Sequence, residues 1–600
     1  MPSSNKVRKV TSENYPTDAG REGELIFRLV YHKAGCRKPF ERLWISSMED
    51  VAIKEGFENL RSGTEYDALY EAALCRERAD WIVGINATRL FSTLYGQTLN
   101  VGRVMTPTLA MAVMREAAIS AFKPELFYTV QIGLDGFTAA SERFKTKAAA
   151  EAVKQSCSVA IVQKAECKEK TEKPPALYDL TSLQREANRV LGYTAQQTLD
   201  YTQNLYEKKL VTYPRTDSRF LTEDMAHSLT DLVKLAFHTF PVEDVDNIPV
   251  HAEQVVNNKK VTDHHAIIPT RELQKCNLSE LPKGELAILQ LISNRLCVAV
   301  GDPHRYAETV IELDCGGTVF STKGKTVVQD GWKALVQKND STKSDENVQT
   351  LPSVSVGDEM TVSGTEIKEG KTSPPKHFTE DTLLSAMETA SADSMPEGVE
   401  RQGIGTPATR AATIEKLVQK GFLERKGNKK TKVLLPTDKG KALITVMPEE
   451  IQSPEMTADW ETKLLQIERS EMEPETFMTE IKEMISSLVT TTEAAKGANA
   501  LMKNKIIGVC PNCGKPVVER EKGWFCENRE CRFVLWKDNA FFKRLGKRLD
   551  GRMADKLLRD GRVRLKDCKS AKGKTYNATV LLGTEADGRS KFSLEFEGGC

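Results

Sequence analysis

Apolar positions along the chain change period several times, and each change predicts a change of element. Residues Tyr66 to Met114 read as helix-rich, and the run Glu65 to Leu74 spaces its apolar side chains at three or four residues. From Phe127 to Glu166 the period shortens to two. Segments such as Tyr128 to Leu134 and Ser158 to Val162 therefore predict strands. Lys173-Pro174-Pro175 is a break, helical spacing returns from Leu177 to Leu210, and strands resume after Arg305 with Glu308 to Leu313 and Gly317 to Ser321. The pattern predicts a sheet region flanking a helical insertion. Lys338 to Gln349 is a loop by composition, Ser373-Pro374-Pro375 is a second break, and helices dominate from Glu380 to Ala495. There is no convincing internal repeat.

Composition narrows the class. At 600 residues and 40% hydrophobic content the chain is expected to form several soluble units, about three to six at ordinary domain sizes. No apolar run approaches the ~20 residues of a membrane span, and the N-terminus lacks a signal-type hydrophobic segment, so the cytoplasm is the expected compartment. The thirteen cysteines are mostly scattered singly, as in a reducing compartment; only Cys510, Cys513, Cys526 and Cys531 form a group. The net charge of +1 hides an asymmetry. The last hundred residues carry 23 Lys and Arg against 13 Asp and Glu, and the preceding five hundred carry 62 against 71. A basic C-terminal module, densest from Phe541 to Lys569, suits a phosphate backbone. Arg562, Arg564 and Lys566 alternate, which in a strand puts three cations on one face.

Several local groups carry chemistry. Cys510-x2-Cys513 and Cys526-x4-Cys531 have the spacing of a structural Zn²⁺ ribbon, and four thiolates leave no open position for catalysis. Trp524, Phe525, Phe533 and Trp536 interleave with them, divided between ribbon core and stacking on unpaired bases. Asp18-Ala-Gly-Arg-Glu-Gly-Glu24 puts three carboxylates in seven residues, which fits either Mg²⁺ or an acidic helix N-terminus. Leu210-Val-Thr-Tyr-Pro-Arg-Thr-Asp-Ser218 places Tyr213 two residues before Arg215. A tyrosyl oxygen can attack a phosphodiester if a cation offsets the developing charge; the bland reading is a capped Tyr-Pro turn. The pair His264-His265 can bind phosphate or metal, or simply lie at the surface. Gly403-Ile-Gly-Thr-Pro-Ala-Thr-Arg410 gathers backbone N–H groups, Thr409 and Arg410 before a helix expected at Ala411 to Lys420, and glycine-rich turns also begin helices without any ligand.

Taken in order, these groups resemble a known family. Asp18 to Glu24 is similar to the acidic motif of the Toprim fold, Val101 to Leu109 to a Gly-Arg-Val segment, Thr212 to Ser218 to an active-site tyrosine motif, and His264 to Ile267 and Gly403 to Arg410 to two more. This is the order found in type IA DNA topoisomerases, and the Thr-Pro-Ala-Thr-Arg form resembles the topoisomerase III branch. The resemblance implies a multidomain α+β ring, with a partial Toprim domain (1–45), a helical strand-binding domain in two parts (46–125 and 371–495) and a β-rich arch in two parts (126–175 and 306–370). An inserted helical gate domain (176–305), a four-cysteine zinc ribbon (505–537) and a small basic module (538–600) complete it. It implies a strand cleaved and religated without ATP through a 5′-phosphotyrosine at Tyr213, and a second strand passed through the gap to relax or decatenate DNA.

Carried over by position, Arg215, His264 and Glu24 would assist Tyr213, Asp18 and Glu22 would hold Mg²⁺, and Arg103, Asp217, Ser218, Thr409 and Arg410 would contact DNA. Single-stranded or underwound DNA is the expected substrate, a helicase the expected partner, and a monomer the expected state. Two departures stand out. Only the seventeen residues Met1 to Thr17 precede the acidic motif, so the Toprim domain is expected to be partial, and Gly20 stands where the broader family motif has a second Asp, a form the topoisomerase III branch tolerates. The alternative is therefore a single-strand-binding accessory protein, or an inactive topoisomerase with an incomplete metal site. A Toprim nuclease or primase would not need the Tyr213 motif, and no Gly-x4-Gly-Lys-Ser/Thr loop supports an ATP-driven enzyme.

Overall fold

The computed structural model describes residues 19–595 apart from 46–49, 243–244, 246, 262, 337–350, 392–402, 429–431, 495–505, 521, 529 and 571–573. Asp18, Met1 to Thr17, Thr262 and the polar stretch Lys338 to Gln349 lie outside the described residues. Contacts divide the chain into two compact units. The first holds residues up to Val83, Gly102–Gly440 and Pro448–Met484, and the second Gly84–Val101, Lys441–Met447 and everything from Ile485.

The acidic motif opens α1, Arg21–Lys33, with Glu22 and Glu24 in the first turn and His32 and Lys33 in the last, the arrangement the helix dipole favours. Two helices of the Tyr66 to Met114 region follow, α2 (Asp67–Tyr95) and α3 (Met105–Ala121). The centre of the first unit is a seven-stranded antiparallel sheet. Its strands are β1 (Leu126–Leu134), β2 (Phe137–Ser141), β3 (Val159–Glu172), β4 (His304–Cys315), β5 (Thr318–Gln329), β6 (Glu359–Thr361) and β7 (Gly364–Lys371), in the order β6-β3-β4-β5-β2-β1-β7. The period-two pattern puts Val130, Ile132 and Leu134, Ala160 and Val162, and Ile311, Leu313 and Cys315 into one core with Phe137 and Phe320.

The helical insertion leaves the sheet at the end of β3 and returns at the start of β4, where Glu172 and His304 are directly paired. It contains α4 (Leu180–Leu191), α5 (Ala195–Glu207), α6 (Ala226–Thr239) and α7 (Lys283–Ala299). Local sequence sets its first two helices. Asp179 with Ser182 and Thr194 with Gln197 form reciprocal capping boxes, each cap worth about 1 kcal/mol, and Gly192 at φ 69° ends α4. Its cores are Leu180, Leu183, Ile288 and Ile292 on one side and Leu229, Val233, Leu296 and Val300 on the other.

After the sheet come α8 (Glu380–Thr389), α9 (Pro407–Gln419) and α10 (Glu455–Glu468). The third begins at Glu455 in a region expected to be helical throughout, yet a hairpin of Leu423–Lys426 and Val433–Pro436 interrupts it. Four-residue strands are too short for a period to register. The helix expected at Ala411 instead begins at Pro407, because Thr406 caps it and proline at the first position fits the helical φ without losing a hydrogen bond.

In the second unit, Ile506–Val509, Pro516–Arg520, Gly523–Cys526 and Val534–Trp536 form a four-stranded ribbon, and Arg562–Lys569, Thr575–Thr584 and Ser590–Glu595 form a three-stranded sheet. Residues Val563 and Leu565 face the core while Arg562, Arg564 and Lys566 are exposed, the alternation expected of them.

Candidate active site

Tyr213 sits on the turn after α5, and the turn is held by a second extended segment, residues 264–270. Thr212 N–H donates to Ile268 O (3.0 Å), Thr212 Oγ1 to Ala266 O (3.0 Å) and Thr216 Oγ1 to His264 O (2.8 Å), with Val211 bridging Pro269. These bonds bring the Tyr213 ring to 4.3 Å, centroid to centroid, from the His264 imidazole at 45°, and Tyr206 meets it edge-on at 5.4 Å. Contacts of this kind are worth about 0.5–1.5 kcal/mol each and fix where the phenol stands. Pro214 and Thr216 are buried, whereas Arg215 and Asp217 are exposed beside the half-buried tyrosine. Ser218 is buried, and its hydroxyl donates to Lys260 O at 2.9 Å. Burial pushes the His265 imidazole below its ordinary value, and its Nδ1–H donates to the Ala266 carbonyl at 2.9 Å, so it serves as a neutral strut.

The acidic turn meets this segment directly. Gly20 is buried in extended backbone, φ −165°, which any residue adopts. A Cβ at position 20 would lie 2.2 Å from Oδ1 and 2.7 Å from Oδ2 of Asp263, so the Asp263 carboxylate would have to swing aside to admit one. The next residue in the chain is His264, so acidic turn, Asp263, imidazole and tyrosine form one sequence of neighbours. Glu22 keeps its carboxylate 47% exposed, 3.4 Å from Arg76 Nη1. Half-exposed in the first turn of α1, Glu22 is an oxygen donor of the kind Mg²⁺ takes, and its motif partner Asp18 lies outside the described residues.

Glu24 has a different situation. It is fully buried, and its two oxygens accept from Arg28 Nε and Arg42 Nε, both at 2.7 Å. Arg103 is also engaged: it forms a two-pronged pair with Asp80 (2.7 and 3.0 Å), lies 3.7 Å from Glu461 and stacks over Trp460 at 5.1 Å. Glu461 gathers three guanidiniums, Arg21 at 3.1 Å and Arg76 and Arg103 at 3.7 Å. Burial by itself would raise its carboxyl; Arg76, Arg103 and Arg21 outweigh that and hold it below the usual range. Arg410, also buried, donates to Ile404 O (3.2 Å) and Thr181 Oγ1 (3.1 Å), and Thr409 Oγ1 accepts from Thr406 N–H as half of the cap on α9. Gly403, at φ 78°, lets the chain pass so close to Glu388 O that a Cβ would sit 2.3 Å away.

Sequence reasoning missed Asp263, Arg76, Glu461 and Arg219. The last ties the turn after Tyr213 to Asp179 (2.6 Å) and Glu388 (3.1 Å). Asp263 carried a signal, since it adjoins the histidine pair. Glu461 carried none, being an ordinary glutamate 440 positions from Arg21.

In the second unit, the sulfurs of Cys510, Cys513, Cys526 and Cys531 all lie within 4.8 Å of one another, with Cys510 to Cys531 at 3.7 Å and Cys513 to Cys526 at 3.4 Å. A tetrahedron with Zn–S bonds of about 2.3 Å has edges of about 3.8 Å, so the cluster is compatible with structural zinc. The interleaved aromatics divide evenly: Trp524 and Phe533 are core, whereas Trp536 is 44% exposed and meets Phe525 edge-on at 5.3 Å.

Three comparisons bear on this geometry. Residues 64–479 match the family model described as DNA topoisomerase. The chain is 40% identical over 566 residues to DNA topoisomerase 3 of Bacillus subtilis, covering 89% of this chain and 77% of that protein. It is also 40% identical over 543 residues to DNA topoisomerase 3 of Bacillus licheniformis, covering 86% and 74%. Among solved structures it resembles full-length topoisomerase I from Thermotoga maritima, with a TM-score of 0.62 at 23% identity, over 87% of this chain and 86% of that one.

Proposed function

The chain belongs to the type IA DNA topoisomerases, among their bacterial topoisomerase III-like members, and from that premise we propose that Tyr213 is its nucleophile. The protein is an isomerase whose partner is DNA. The observation that carries the assignment is the packing of Tyr213 on His264, one residue from the carboxylate that lies against the acidic turn.

In this reading the Tyr213 oxygen attacks the phosphorus of one strand. The new O–P bond forms as the bond to the 3′-oxygen breaks, the phenolic proton leaves through His264, and the departing oxygen takes a proton to become a 3′-hydroxyl. The phosphotyrosine keeps the energy of the broken bond, so the reverse step reseals the strand without ATP. Arg215, exposed on the same turn, offsets phosphate charge, and Asp217 borders the strand. Glu22, with Asp18 of the same motif, would hold Mg²⁺, which would supply positive charge to offset that of the phosphate. Arg103, Ser218, Thr409 and Arg410 act by shaping the surface the strand lies on, and Glu24 by anchoring α1, because each is engaged within the protein. The four cysteines would hold a structural Zn²⁺, and exposed Trp536 with Phe525 favours unpaired bases. We assign the protein to the cytoplasm as a monomer working with a helicase; among the described residues no helix is long and apolar enough to cross a membrane.

Incubation with negatively supercoiled plasmid and Mg²⁺, stopped with denaturant, should leave protein attached to 5′ ends. Binding of single strands with no adduct would support the accessory-protein reading instead.

A further inference from the structure

The insertion that carries Tyr213 is held in two places by two kinds of contact. At its root the hold is apolar. The turn Gly331–Leu335, which follows β5, sends Leu335 into the insertion core of Leu229, Val233, Leu296 and Val300, and Trp332 packs on the same core. The Trp332 backbone N–H donates to Asp302 O at 2.8 Å and its indole N–H to Glu172 O at 3.2 Å, beside the strand pair Glu172–His304 through which the chain enters and leaves. Against α8 and α9 the hold is polar. Arg185 of α4 donates to Asp381 (2.8 Å) and lies 3.7 Å from Glu388, and Arg219 donates to Glu388 (3.1 Å). Backbone N–H groups add to this, Asp381 N–H donating to Asn188 Oδ1 (3.2 Å) and Ala195 N–H to Glu380 Oε2 (2.6 Å). Neither apolar core of the insertion takes a residue from α8 or α9.

The polar contacts are arranged so that parting leaves no buried charge bare. Arg219 keeps Asp179, 2.6 Å away on its own side, and Glu380 keeps Arg425, 2.7 Å away on the other. Arg185, Asp381 and Glu388 are part-exposed and pass to water. Part-exposed ion pairs hold weakly and are screened by salt, whereas withdrawing Leu335 would expose apolar surface. We propose that Arg185 and Arg219, on Asp381 and Glu388, form a salt-sensitive latch, and that the insertion swings about its apolar root when the latch parts. These four are positioning residues for strand passage. The end of a cut strand joined to Tyr213 travels with the insertion, and a second strand passes only when that end has moved off. This consequence rests on the assignment of Tyr213 made above; the latch itself does not.

The test is hydrogen exchange followed by mass spectrometry on the full chain without DNA. The Ala195 and Asp381 amides stand in the first turns of α5 and α8, where no intrahelical acceptor exists, so the latch alone protects them, and the Trp332 amide reports the root. Raising NaCl from about 0.1 M to about 1 M shortens the screening length from about 10 Å to about 3 Å. Latch amides should then exchange roughly three- to thirtyfold faster, as expected for two part-exposed ion pairs lost, with the root amide unchanged. Asp381→Asn with Glu388→Gln should give fast latch exchange already at low salt, whereas Asp381→Glu, which keeps the charge, should retain the salt response. The double variant should form adduct on a short single strand as wild type does, and its relaxation of plasmid should peak at lower salt. Latch exchange that ignores both salt and the double variant overturns the proposal, and so does root exchange rising in step, which would mean unfolding rather than swinging. The wild-type salt response decides even if the double variant fails to fold. Expected exchange with a wild-type relaxation profile overturns the role in strand passage alone. Absence of an adduct from wild type sinks the assignment of Tyr213 and leaves the exchange result standing.

Discussion

Tyr213 and His264 stand ring against ring at 4.3 Å, although 51 positions separate them in the chain. Hydrogen bonds from Thr212 to Ala266 O and from Thr216 to the carbonyl of His264 itself fasten the two segments edge to edge, so the relationship belongs to the fold rather than to either motif.

Removing the phenolic oxygen should separate chemistry from binding. Tyr213→Phe keeps the ring contact with His264, so the variant should bind single-stranded oligonucleotide with wild-type affinity by fluorescence anisotropy and form no covalent adduct on denaturing gels. Loss of binding as well would show the tyrosine to be structural. His264→Ala should keep adduct formation but slow it by roughly 10²–10⁴, the range of a lost proton-transfer group.

Glu461 should be a keystone of the first unit. Glu461→Gln leaves Arg21, Arg76 and Arg103 without their shared buried counter-charge, which should destabilise the fold by about 3–5 kcal/mol in urea titrations. The same carboxyl sets an acid limit. Its folded pKa is lowered, so its contribution is present above the unfolded value of about 4.3 and is lost as pH falls further through the folded value. Wild type should lose stability across that acid range, and the Gln variant should show a shallower loss there.

The cysteine cluster should carry one zinc per chain by elemental analysis. Changing Cys510 and Cys513 to Ser should abolish it and unfold the ribbon, seen as a lost thermal transition. Stoichiometric zinc in the double variant would mean that the ligands are other residues.

Trp536→Ala should weaken single-strand binding by about 1–3 kcal/mol, the worth of one stacked base, with the ribbon still folded. Trp524→Ala, at a buried core position, should instead unfold the ribbon. Equal effects of the two on binding at full stability would remove the distinction between core and platform.

Much of this protein was legible in its sequence because the information was local. The alternation of Arg562, Arg564 and Lys566 and the cysteine spacing each depend on residues a few positions apart, where the geometry of one strand or zinc knuckle dictates which types work. The turn bearing Tyr213 and Arg215 was legible for the same reason. Other features depended on partners that chain closure brings from hundreds of positions away. Arg103 and Arg410 read from the sequence as cations for DNA, and only the fold shows that Arg103 pairs with Asp80 and lies near Glu461 and that Arg410 bonds Thr181. Glu24 read as a third acidic group until Arg28 and Arg42 occupied both its oxygens. Gly20 looked like a missing carboxylate, and the tertiary structure put Asp263 in the space it leaves. A sequence states which charges a chain carries; which of them face water and which face each other depends on the desolvation and pairing that folding imposes.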